Sequence, residues 1–134
     1  MSLFEQNIII SSHPQSIRVV EEFMQQFGEK MHLAPDVYAN ALITLTEAVN
    51  NAIIHGNKLN VQKKVHLTCQ CSDIDVCFII KDEGMGFDPD EIPDPTSEEN
   101  VSKLDGRGVF IMRQLCDEIS FEDNGRSIKI KFKL

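Results

Sequence analysis

Residues 65–88 read VHLTCQCSDIDVCFIIKDEGMGFD. Val65, Leu67, Cys69 and Cys71 alternate with His66, Thr68 and Gln70, the period-2 spacing of a strand with one buried face. Ser72-Asp73 reads as a two-residue turn into a second apolar strand, Ile74 to Ile80, so this stretch predicts a β-hairpin. The hairpin runs into Asp82-Glu83-Gly84-Met85-Gly86, a carboxylate at a strand end followed by two glycines. Such a carboxylate can accept a hydrogen bond from a ligand amino group, and missing Cβ atoms let backbone approach a flat ring. An ordinary Gly-rich turn is the commoner meaning of that pattern alone.

Working outward, the flanks complete a two-layer plan. Phe4 to Ile10 reads as an edge strand. Ser11-Ser12-His13-Pro14 offers capping hydroxyls and an early proline to a helix with Ile17, Val20, Met24 and Phe27 on one face, which Gly28 can end. Pro35-Asp36 opens a second helix through Ala41, Leu45, Val49 and Ala52 that stops at His55-Gly56, a C-cap pattern. Asp88 to Asp105 holds three of the five prolines and many carboxylates, so it reads as a loop excursion. Gly106-Arg107-Gly108 leads into a short helix to Cys116. Glu118 to Glu122 and Ile128 to Leu134 are strands joined at Asp123-Asn124-Gly125, a hairpin turn sequence. In the last strand Ile128, Ile130 and Phe132 face one way and Lys129, Lys131 and Lys133 the other. The expected fold is an α+β two-layer sandwich, a mixed, mostly antiparallel sheet with helices on one face, forming a single domain over residues 1–134.

Composition narrows the function. A formal net charge of −8 repels a phosphate backbone, so nucleic acid is not an expected partner. It does not exclude one small polyphosphate held by backbone N–H groups and a bridging cation. No apolar run is long enough to span a bilayer, and the first residues lack the basic segment of a signal peptide, so no membrane role and a cytoplasmic location are expected. Cys69, Cys71, Cys77 and Cys116 then read as reduced thiols, and with no CxxC pair the strand cysteines read as small core residues.

Two further segments carry chemistry. In Thr46-Glu47-Ala48-Val49-Asn50-Asn51-Ala52-Ile53-Ile54-His55-Gly56, Glu47, Asn51 and His55 are four apart and share one helix face. An amide oxygen there can ligate a hard cation such as Mg²⁺, and the carboxylate can orient or deprotonate a hydroxyl. A solvated polar stripe is the commoner meaning of a lone Glu/Asn pair. At Gly106-Arg107-Gly108-Val109, free N–H groups and about half a positive charge at a helix start suit phosphate oxygens, although a GxG before a helix is weak on its own.

Taken in order, the acid-amide helix, the Asp-x-Gly-x-Gly loop, the acidic excursion and the Gly-x-Gly helix start resemble the N box, G1 box and G2 box of the Bergerat-fold (GHKL) ATP-binding superfamily. The resemblance runs from about Ile8 to Leu134. Glu47 to Gly56 and Gly106 to Met112 look most like the bacterial anti-sigma-factor serine/threonine kinases of the switch-protein-kinase type. That resemblance implies ATP and Mg²⁺ as cofactors, with Asn51 as metal ligand. Asn50-Asn51 is a doublet, and Asn51 is favoured because it lies one turn after Glu47. It implies Glu47 as the catalytic residue that orients the substrate hydroxyl. Asp82 would hold the adenine amino group, with Gly84 and Gly86 lining its pocket. Gly106, Arg107 and Gly108 would close on the phosphates, and Ser127 would help bind adenine through water. The implied activity is phosphoryl transfer to a serine or threonine of a small anti-sigma-factor-antagonist protein. A sigma factor and a second copy of the chain stand open as further partners. Two rivals remain at this level: a nucleotide-dependent module that sequesters a regulator with little catalysis, and a detached histidine-kinase catalytic domain.

Overall fold

The structure, a computed structural model, describes residues 3–84 and 106–134. Among the described residues, five strands form one sheet in the order β1-β2-β3-β5-β4. They are β1 (Phe4–Ser11), β2 (Lys64–Cys71), β3 (Asp75–Lys81), β4 (Glu118–Glu122) and β5 (Ser127–Lys133), and every pairing between them is antiparallel. Three helices join them: α1 (Ile17–Lys30), α2 (Pro35–Asn51) and α3 (Gly106–Leu115). The α+β two-layer sandwich is therefore as expected, with β1 at the edge, while the described pairings are all antiparallel rather than mixed.

The alternation in β2 buries Val65, Leu67, Cys69 and Cys71, and in β5 it buries Ile128, Ile130 and Phe132, so one face of the sheet meets the helices. Val20, Met24 and Phe27 of α1 and Ala41, Leu45, Ala48 and Val49 of α2 fill the layer between. Each fully buried Val, Leu, Ile or Phe contributes roughly 1.5–3 kcal/mol. Aromatic rings tie the layers together: Phe27 meets Phe4, Phe23 and Phe78 at centroid distances of 6.3, 5.9 and 5.9 Å, and Phe78 meets Phe132 at 6.1 Å.

Local details depart from the sequence reading, each for a physical reason. Gly28 does not end α1, which runs to Lys30; a Cβ at Gly28 would fall 2.6 Å from the Tyr38 ring, so it is α1–α2 packing that requires glycine there. His32, with φ 54°, takes the left-handed position after the helix instead. No serine hydroxyl caps the turn Pro14–Ser16; the His13 Nδ1 accepts the Gln15 N–H at 3.1 Å, while Ser12 is buried and bonded elsewhere. The β2–β3 turn centres on Asp73-Ile74, with the Ser72 N–H donating to Asp75 O at 2.9 Å, one residue later than expected. Cys77 pairs with Gln70 and so points to the opposite face from Cys69 and Cys71. The three strand thiols do not converge, and no group of His, Cys, Asp and Glu able to hold a metal occurs among the described residues. Asp123-Asn124-Gly125 forms the expected β4–β5 turn with φ values of 53°, 55° and 83°.

Antiparallel pairing decides which ends meet. The end of β1, the start of β2, the end of β3 and the start of β5 lie together, since Ser11 pairs with Lys64, His66 with Lys81 and Lys81 with Ser127. The chain leaves this end after Ser11, descends through α1 and returns to it at the C-terminal end of α2. Leu115 leads directly to Glu118 at the far end, so α3, packed against α2, starts on the near side.

Candidate functional site

The near end of the sheet is polar where the far end is aromatic. Its centre is Asp82, 7% exposed, directly after β3. Its backbone N–H donates to Arg126 O at 2.9 Å, which keeps the chain in line with β5 for one more residue. Its Oδ1 accepts the Gly84 N–H at 2.8 Å. Burial raises the Asp82 carboxyl above the ordinary aspartate range, and the Gly84 N–H and the Arg126 charge offset part of that rise. Oδ2 makes no hydrogen bond among the described residues and lies against Gly56, where a Cβ would land on it. A Cβ at Gly84 would strike the Gly56 carbonyl. These two glycines let two backbone segments pass closer than any side chain allows.

Gly56 reaches that position because α2 does not end as an ordinary helix. Ala52–Gly56 is a π turn, closed by the Asn57 N–H donating to Ala52 O at 2.8 Å. The C-cap role expected of Gly56 is not what is found: Gly125 is the only glycine with positive φ among the described residues, and Lys58 and Leu59 take the left-handed conformation instead (φ 52° and 61°). Gly56 is there for its missing side chain. His55 lies half-buried in the same turn.

Glu47 and Asn51 lie half-buried one turn apart near the C-terminal end of α2. The Asn51 Oδ1 is buried without a hydrogen-bond partner among the described residues. Buried amide oxygens are almost always satisfied, and one that is not costs about 1–3 kcal/mol. A hard cation takes such an oxygen as ligand, so the residue present fits the Mg²⁺ implied by the resemblance. Thr44 and Thr46 spend their hydroxyls on Asn40 O and Leu42 O within α2, each at 2.7 Å, and stand outside the site.

Gly106, Arg107 and Gly108 form the first turn of α3, not a loop before it, with Arg107 exposed and Gly108 buried. Ser127, 7% exposed, opposes Lys81 in the β3–β5 register and follows the residue that receives the Asp82 N–H. The fold thus gathers Glu47, Asn51, Asp82, Gly84, Ser127 and the α3 start at one end of the sandwich. Gly86 lies outside the described residues.

Three residues of this end were not singled out from sequence. Asn57, 1% exposed, accepts the Glu83 N–H on Oδ1 at 2.8 Å and donates through Nδ2 to Ser12 Oγ at 2.8 Å and Lys64 O at 3.0 Å. Ser12, fully buried, donates its hydroxyl to Lys63 O at 2.7 Å. Arg126 donates Nε–H to Gly84 O at 2.8 Å. An Asn after a helix end or an Arg after a turn reads as surface chemistry, and no local spacing pairs either with Glu83 or Gly84.

Helices layered on one face of an antiparallel sheet, with an acidic-glycine loop and an acid-amide helix meeting at one end, define a class of α+β sandwich with a polar site at one end. Within it, the chain belongs to the histidine kinase-like ATPase domain family, whose profile matches residues 10–132. Curated relatives agree. The chain is 38% identical over 78 residues to an anti-sigma F factor of Shouchella clausii, covering 56% of this chain and 53% of that protein. It is 35% identical over 108 residues to the anti-sigma F factor of Bacillus subtilis, covering 78% of this chain and 70% of that protein. The match thus spans about half the length of the first relative. The fold also matches a crystal structure of the RsbU and RsbW domains of a Mycobacterium tuberculosis protein, with a TM-score of 0.68 at 14% identity, over 97% of this chain and 32% of that one.

Proposed function

We propose that the chain is an ATP- and Mg²⁺-dependent serine/threonine protein kinase that acts as an anti-sigma factor. Its protein substrate would be a small antagonist of anti-sigma-antagonist type. The observation that carries the reading is the buried Asn51 Oδ1, without a hydrogen-bond partner among the described residues, one turn from Glu47 and at the same end of the sheet as Asp82. Family membership and the names of the anti-sigma F relatives support it.

The chain's own residues divide the work. Asp82 accepts a hydrogen bond from the adenine amino group, on a turn that the missing Cβ atoms of Gly56 and Gly84 let pack closely against the π turn. Ser127, which opposes Lys81 at this end of the sheet, would help bind adenine through water. Asn51 would hold Mg²⁺, which when bound neutralises charge on the ATP phosphates. The N-terminal turn of α3 at Gly106–Gly108 and the Arg107 guanidinium would meet the developing charge of the transferring phosphoryl group. Glu47 orients the attacking hydroxyl and takes its proton. Alignment and electrostatics supply most of the rate.

A sigma factor is the second protein partner in this reading, because the relatives are named for it. Self-association would use the open β1 edge, where Ile9 is 63% exposed. No described helix is long and apolar enough to cross a membrane; a cytoplasmic location is part of the proposal.

The test is incubation of the chain with γ-labelled ATP, Mg²⁺ and candidate antagonist. Acid-stable phosphate on a serine or threonine, lost in Glu47→Gln while nucleotide uptake persists, is the expected result. Acid-labile phosphate on a histidine, or transfer unchanged in Glu47→Gln, contradicts it.

A further inference from the structure

The Asp82-Glu83-Gly84 segment is held from two sides by residues that belong to neither the strand before it nor the helix that carries Asn51. Its three N–H groups are all spoken for: Asp82 N–H by Arg126 O at 2.9 Å, Glu83 N–H by Asn57 Oδ1 at 2.8 Å, and Gly84 N–H by Asp82 Oδ1 at 2.8 Å. The Gly84 carbonyl is taken by Arg126 Nε–H at 2.8 Å. Asn57 is itself immobilised. Its side chain bonds Ser12 Oγ and Lys64 O as well as Glu83, and its own N–H closes the π turn. Ser12 completes the knot by donating to Lys63 O. The knot joins the ends of β1 and α2, the start of β2 and the loop after β3, with both Asn57 and Ser12 fully or almost fully buried.

A solvent-exposed turn of three residues needs no such support, because water satisfies its backbone. A turn that must present one carboxylate oxygen at hydrogen-bond distance to a ring amino group does need it. Hydrogen bonds weaken steeply with misalignment, so a displacement of about 1 Å removes most of the interaction. Among the described residues, Asp82 makes its only side-chain hydrogen bond within the turn itself, so its direction follows that of the turn.

We propose that Asn57 and Arg126 are positioning residues for nucleobase recognition: acting through Glu83 and Gly84, they aim the Asp82 carboxylate at the exocyclic amino group of the purine. This rests on the nucleotide-binding reading above and adds to it the means of base selection. Neither residue touches the nucleotide; their effect is on discrimination between bases with and without a 6-amino group.

The experiment compares the affinity of the full chain, with Mg²⁺, for ADP and for purine riboside 5′-diphosphate, which lacks that amino group. A hydrogen bond to a charged acceptor predicts a wild-type preference for ADP of roughly 10- to 100-fold. In Arg126→Ala and Asn57→Ser the preference falls at least about threefold, while affinity for the analogue moves less than twofold, as expected for loss of aim at a single hydrogen bond. Arg126 is half-exposed, so its variant tests the proposal even where the buried Asn57 variant does not fold, and thermal melts identify that case. A preference unchanged in folded Arg126→Ala overturns the proposal, as does an equal weakening of both nucleotides. If wild type takes up neither nucleotide, the nucleotide-binding reading fails and the proposal with it. If wild type discriminates and the variants still do, only the positioning role fails.

Discussion

The two ends of this sandwich are built from opposite materials. At the far end Phe4, Phe23, Phe27, Phe78 and Phe132 interlock, and Lys30 lies over the Phe4 ring at 4.4 Å. At the near end buried positions go to Ser12, Asn57, Asp82 and Ser127, and one buried amide oxygen has no partner among the described residues. Apolar contacts contribute to stability wherever they are placed. Buried polar groups add little net stability and cost much when unsatisfied. The aromatic end therefore contributes more to stability, and the polar end offsets part of that contribution.

The largest expected effect sits at the aromatic end. Phe27→Ala removes a ring that meets three others and should cost about 3–5 kcal/mol in urea unfolding. Nucleotide affinity measured below the transition should not move. A loss of affinity there would break the division between the ends. Next comes Asp82→Asn, which replaces an ionised acceptor with an amide. ADP affinity should drop roughly 10- to 100-fold by calorimetry. Its stability should behave in the opposite sense. Burial raises the folded-state carboxyl pKa above the unfolded value, so the ionised wild type carries a cost at neutral pH that protonation removes. The ligand-free variant should thus match or exceed wild type at pH 7, and wild type should regain ground as pH falls through the raised pKa.

A smaller effect is expected at Asn51. Asn51→Ala should weaken ADP binding about tenfold with Mg²⁺ and little when the metal is chelated, and should leave unfolding free energy unchanged or raised, since it deletes an unsatisfied oxygen. The smallest belongs to Glu83→Gln. The Glu83 carboxylate accepts the Lys64 N–H at 2.9 Å and faces His66 at 3.7 Å, both side chains being 44% exposed. Its pKa is lowered, first by the Lys64 hydrogen bond, so whatever it contributes is present above the carboxylate range and fades as pH falls through its depressed pKa. Melting at pH 7 should barely shift; a large shift would mean that Glu83 helps hold Asp82.

The aromatic end was largely legible in sequence, and the polar end only in part. Strand alternation in Val65–Cys71 and Ile128–Phe132 and helical spacing in Ile17–Phe27 are local patterns, and local patterns survive translation into structure. Glu47, Asn51, Asp82 and the glycines stood out because each is an odd residue type for its element. Asn57, Ser12 and Arg126 did not, because their roles rest on bonds between segments 26 to 51 residues apart. Gly28 and Gly56 were seen as glycines but read as helix ends, since sequence signals a possible φ more readily than a neighbouring ring or carboxylate. The outward side of Cys77 follows from register, which the turn sets, and the turn lies one residue later than its sequence suggested.

The most direct test is titration of ADP into the purified chain with and without Mg²⁺, beside Asp82→Asn and Asn51→Ala. The account predicts one saturable site in wild type, weakened by the first substitution whether or not metal is present and by the second only when it is. Uptake that ignores both substitutions, or no uptake at all, would contradict it.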